Sequence, residues 1–162
     1  MKLLRGGKQK FQFAIKSEEK ELLFHVLQLY PLVPAAHHRL SRDRQIPDSK
    51  ENQELLEESL LAQRQENRRQ VEALLKEPER FSETQAGWRV SFSRAEIEWL
   101  LQVLNDVRIG SWLALGSPAG QVKIQPGMSK PTARHVLVMD VAAFFEMCLL
   151  QAVSGTPPVR HD

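Results

Sequence analysis

Residues 93–116, SRAEIEWLLQVLNDVRIGSWLALG, constrain the fold more than any other stretch. Ser93 and Glu96 stand at the S-x-x-E spacing of a helix capping box. Ile97, Leu100, Leu101, Leu104, Trp112 and Leu115 then recur at threes and fours, the period of a helix with one buried face. Gly116 and Pro118 supply the stop. A helix this long and this apolar needs other helices to cover it. Gly110 falls inside the pattern and weakens the case for an unbroken helix. Arg108 falls inside the apolar row itself, and a guanidinium buried at that point needs a carboxylate or carbonyls around it.

The rest of the chain supplies the partners. Ser17, followed by Glu18 and Glu19, caps a helix bearing Leu22, Leu23, Val26, Leu27 and Tyr30, which Pro31 ends. Asp48 or Ser49 opens a long helix running to about Glu77, where Pro78 stops it. Its inward row reads Leu56, Leu60, Arg64, Asn67, Val71 and Leu74. A row that turns polar halfway either crosses solvent or meets polar groups elsewhere in the fold. The last helix spans about 133–153, capped by Thr132 and ended by Gly155 and Pro157. Val136, Leu137, Val141, Phe144, Phe145, Met147, Leu149 and Leu150 make it apolar on nearly all sides. Two short alternating runs, Phe11-x-Phe13-x-Ile15 and Trp88-x-Val90-x-Phe92, read as strands, whereas 81–86 reads as a linker and 116–131 as a Gly/Pro-rich loop. These segments predict a mainly α fold, an irregular four-helix bundle with a minor two-stranded β-ribbon. The expected globular domain is 1–153, with a flexible C-terminal tail at 154–162.

Both alternating runs lead into a serine and then a helix. Glu21-Leu22-Leu23-Phe24-His25-Val26-Leu27-Gln28 matches Glu98-Trp99-Leu100-Leu101-Gln102-Val103-Leu104-Asn105. Each strand is too short to stand alone, and the economical arrangement pairs the two with each other.

Composition excludes several function classes. A net charge of +2 on 162 residues is too small an excess to imply nucleic acid or an anionic membrane. Cys148 is the single cysteine, which rules out an internal disulfide and a multi-cysteine zinc site. The start, MKLLRGGKQK, has basic residues without the apolar run of a signal peptide. Asp140 and Glu146 interrupt the last helix, which reads as a core helix rather than a membrane span. His37 and His38 are adjacent, with no further ligand at metal spacing. Neither 116–120 nor 126–130 fits a phosphate loop, and no G-x-S-x-G is present. No catalytic residue, cofactor or metal is expected.

The polar insertion Asn105-Asp106-Val107-Arg108 is where chemistry remains. Asp106 is two residues from Arg108 and faces elsewhere, which leaves Asp140 and Glu146 on the last helix as candidate partners. Asn105, Arg64 and Asn67 can join that network. One reading is a structural salt bridge that sets helix register. The alternative is a polar pocket around Arg108 that takes a small ligand or anion, with or without enzymatic activity. A nucleic-acid reading through Arg39, Arg42, Arg44, Arg64, Arg68 and Arg69 is disfavoured, because no aromatic interleaves to stack bases. Trp112, Phe144 and Phe145 are the candidate interface residues.

The motif Trp99-Leu100-Leu101-Gln102-Val103-Leu104-Asn105-Asp106-Val107-Arg108-Ile109, closing on Leu115-Gly116, resembles that of an uncharacterised, mainly actinobacterial domain family. The element order resembles that family too, including Pro34-Ala35-Ala36-His37-His38-Arg39 where a proline-arginine segment stands. Ser111-Trp112 and a longer loop before the last helix depart from it. The resemblance implies no activity; its genes often lie near the adaptor of the Clp protease, an association with regulation or proteolysis. The expectation is a non-enzymatic, cytoplasmic regulatory or interaction module. Its partner would be a second copy of itself, as a homodimer, or another protein, with no membrane.

Overall fold

A computed structural model describes residues 1–34 and 49–155. The elements are β1 (Lys2–Gly6), β2 (Lys10–Ile15), α1 (Ser17–Gln28), α2 (Ser49–Leu75), a 3-10 turn (Pro78–Arg80), β3 (Phe81–Thr84), β4 (Gly87–Ser93), α3 (Arg94–Ala114) and α4 (Lys130–Ser154). The basic segment with His37, His38, Arg39, Arg42 and Arg44, the candidate cap Asp48, and the tail from 156 onward lie outside the described residues.

The expected two-stranded ribbon is replaced by a four-stranded antiparallel sheet in the order β1-β2-β4-β3. Of the described residues 62% are helical and 16% strand, so the fold is mainly helical but is not a bundle with a minor ribbon. The two alternating runs do pair: Phe11 stands opposite Phe92, Phe13 opposite Val90 and Ile15 opposite Trp88. Each recruits a second strand through a hairpin, β1 onto β2 with a bulge at Leu4, and β3 onto β4. The outer strands left little trace in the hydropathy pattern. Every residue of β1 is exposed, and β3, expected as a linker, buries only Phe81. An edge strand is held by main-chain hydrogen bonds to its neighbour, which need no apolar alternation.

Local chemistry fixes where the helices start. Ser93 Oγ accepts the Glu96 N–H at 3.1 Å and Glu96 Oε2 accepts the Ser93 N–H at 2.7 Å, closing the capping box on α3. The other Glu96 oxygen takes Arg80, which also donates to Glu77 at 2.5 Å. The cap of α1 is Lys16 rather than Ser17, with its N–H on Glu19 at 2.9 Å. The cap of α4 is Ser129 rather than Thr132; its Oγ accepts the Thr132 N–H at 3.3 Å.

One sheet face packs on α1, α3 and α4, and Phe13, Val90, Phe92, Leu27, Ile97, Leu100, Leu104, Phe145 and Leu149 fill the space between. Phe13 and Phe92 meet with ring centroids 6.0 Å apart. The longest apposition is α3 against α4. The α2 helix adds only Val71, Leu74 and the polar Asn67 to the interior, and Leu55 and Leu61 in its first half are exposed.

The β3–β4 turn rests on Gly87, whose φ of 129° is open to glycine and strained for other residues. A Cβ there would lie 2.7 Å from the Ile15 carbonyl oxygen at the end of β2. Gly87→Ala is expected to destabilise the fold by about 1–3 kcal/mol, read as a lower urea midpoint at unchanged slope.

Candidate functional site

The motif at 105–110 lies in the second half of α3, and its side chains leave the helix in different directions. Asp106 and Gly110, four residues apart, share a face and address the turn that follows α1. Asp106 Oδ1 accepts the N–H of Leu32 at 2.6 Å and that of Val33 at 3.1 Å. A Cβ on Gly110 would lie 2.7 Å from the Leu32 carbonyl carbon, Cβ and Cγ. The helix runs unbroken through Gly110, as one helix over 93–116 requires; the missing side chain is the space that Leu32 occupies. From α2, Arg64 donates to the Val33 carbonyl at 2.8 Å and approaches Asp106 Oδ2 at 3.7 Å. The turn is held between α2 and α3 by a carboxylate on its N–H groups and a guanidinium on its carbonyl.

Beside this clamp the polar middle of α2 meets polar groups of α3. Asn67, only 6% exposed, places its Nδ2 3.3 Å from Gln102 Oε1 and 3.5 Å from the Tyr30 hydroxyl. Gln102 Oε1 also accepts from Gln63 at 2.8 Å. Burial raises the Tyr30 phenol above its usual value, and the contact with Asn67 opposes that rise. These side chains, with Arg64, Asn105 and Asp106, line an open groove of about 540 Å³ between the two helices.

Arg108 leaves this groove to Arg64 and Asp106 and turns toward α4. Its Nη2 donates to Asn105 Oδ1 at 2.7 Å, and its Nε lies 2.9 Å from Glu146 Oε2, close but not aligned as a hydrogen bond. The expectation of a buried guanidinium is corrected: the Arg108 side chain is 40% exposed, and Glu146, at 14%, is the desolvated member. Burial pushes the Glu146 carboxyl above the usual carboxylate value, and the Arg108 charge pulls it partly back. Asp140 stands on the exposed side of α4 and makes no ion pair with Arg108 among the described residues.

The expected interface residues separate. Phe145 is 1% exposed and belongs to the core. Its neighbour Phe144 packs edge-on against it at 5.1 Å and reaches the surface. Trp112 is also partly exposed, with its indole N–H donating to the Pro118 carbonyl at 3.1 Å. The sequence marked the whole helix as apolar without separating its faces; Leu137, Met147 and Leu150 prove to be about half exposed on α4. The α4 helix is long and apolar enough to cross a membrane, and in this fold it buries Val136, Val138, Ala142, Phe145, Leu149 and Ala152.

The remaining candidates carry little chemistry. Arg68 and Arg69 pair along α2 with Glu72 at 3.5 Å and Glu66 at 3.4 Å. Cys148 is half-buried, and burial pushes its thiol up. Among the described residues no cluster of His, Cys, Asp or Glu could hold a metal. No protein family, curated protein or solved structure matches the chain.

Two outcomes follow. Asp106→Ala strands the Leu32 and Val33 N–H groups and is expected to cost about 1–3 kcal/mol in chemical denaturation. For Glu146 the folded form holds its proton more tightly than the unfolded chain, so its contribution to stability falls as pH rises from the ordinary value of 4.5 through the raised one. Arg108→Met removes the opposing charge. It is expected to destabilise the protein more at neutral pH than below the ordinary carboxylate range, and adding Glu146→Gln should abolish that difference in paired denaturation curves.

Proposed function

We propose that this chain is a non-enzymatic, cytoplasmic interaction module that pairs with a second copy of itself through the outer face of α4. The observation that carries the reading is the exposed row Leu137, Phe144, Met147 and Leu150, with exposures of 48%, 36%, 50% and 52%. Scattered apolar residues are normal on a surface, but four along one helix, with Asp140 the one exposed acid among them, mark a contact site. Leu3 and Leu4 of β1, a strand in contact with α4, are exposed as well.

The row suits self-pairing. An antiparallel pair of α4 helices centred between Ala143 and Phe144 sets Leu137 of one copy opposite Leu150 of the other. It also lays each Phe144 over the small Ala143 and each Met147 against Asp140 of the other copy, and a two-fold axis uses the same patch twice. The resemblance to a family associated with a protease adaptor supports a regulatory setting.

Sedimentation at micromolar concentration is expected to give a dimer. Met147→Glu and Leu150→Glu should each give a monomer with an unchanged circular dichroism spectrum, while Leu61→Glu, exposed on α2, should leave the dimer intact. A wild-type monomer across the micromolar range overturns the proposal.

A further inference from the structure

Where α1 ends and α4 begins, a separate pocket of about 440 Å³ opens between the two. This lies within the roughly 300–1,000 Å³ range of small-ligand sites. Its floor is Leu29, Leu32, Pro131 and Val138, and its rim is Lys130, Arg134 and His135. Val138 is buried and both leucines are half-buried, so the floor belongs to the packed interior, while the heads of Lys130 and Arg134 stay in solvent.

The charge here meets no carboxylate among the described residues. The first turns of α1 and α3 carry Glu18, Glu19 and Glu96, but the first turn of α4 carries no acid. Lys130 and Arg134 add positive charge to the helix end that already has the positive pole of the dipole. Among the described residues, neither side chain nor His135 makes an ion pair. Two permanent cations over an apolar floor, with no carboxylate partner among the described residues, complement a molecule with an anionic head and an apolar body. A bare inorganic anion would leave the floor against water, and a neutral hydrocarbon would leave the cations unused.

We propose that this pocket binds an aliphatic carboxylate, with its chain along Leu29, Leu32 and Val138 and its head between Lys130 and Arg134. A carboxylate matches the planar fork of a guanidinium. The proposal does not rest on self-pairing, which uses the opposite run of α4 side chains.

The test is calorimetric titration of the full chain with decanoate, decanol, acetate and inorganic phosphate. Saturable binding of one decanoate per chain is expected, with the other three weaker by about tenfold or more. The double variant Lys130→Gln/Arg134→Gln alters only exposed side chains and should weaken decanoate by about the same factor. Leu150→Glu should leave decanoate binding unchanged, which separates this pocket from the outer face of α4. No binding of decanoate, equal binding by the double variant, phosphate binding as tightly as decanoate, or loss of binding in Leu150→Glu each overturns the assignment.

Discussion

Asp106 reaches from the middle of α3 to two consecutive backbone N–H groups, those of Leu32 and Val33, and much of the arrangement depends on that reach. A chain leaving a helix at a proline has peptide groups with no helical or sheet partners, and they cannot be buried without some other acceptor. The carboxylate supplies it. Gly110, one turn further along α3, lets the turn approach closely enough for those bonds to form. Arg64 closes the other side on the Val33 carbonyl, which ties α2 to a core it otherwise barely enters.

The α3 helix works as the hub because its polar residues are distributed by direction. Glu96 caps it and holds the 3-10 turn through Arg80. Gln102 faces Asn67 on α2, Asp106 and Gly110 face the turn after α1, and Arg108 faces Glu146 on α4. Charged and amide contacts of this kind contribute little net stability when half-exposed. Their geometry is directional, however, and sets register between helices whose apolar contacts would tolerate sliding. Lys20 does similar work at the sheet edge, with its ammonium 3.4 Å from the Trp88 ring centroid and 5.1 Å from that of Phe81.

The surface features on which the two proposals rest lie on α4 rather than in the polar motif. The outer row of α4 and the cationic rim at its start are both groups without partners among the described residues. The motif residues, by contrast, have theirs: Asp106 is occupied by the turn, and Arg108 by Asn105 and Glu146. The groove between α2 and α3 is lined by carboxamides already bonded to one another.

The sequence alone was enough to place the four helices, the S-x-x-E cap of α3 and the two inner strands, because these rest on local spacing that any surrounding structure must respect. It also narrowed the partner of Arg108 to two acids, since only a carboxylate on a neighbouring helix can meet a cation there. It could not supply the outer strands β1 and β3, whose exposed residues carry no period and whose bonds are made by main chain. Nor could it say why a glycine stands at 110 in mid-helix, which Leu32 packed against it explains, or foresee the exposure of Arg108, which a helical period places on the apolar side. Tertiary structure decided these because each depends on what a distant segment brings within a few ångströms, and spacing along one helix does not encode that.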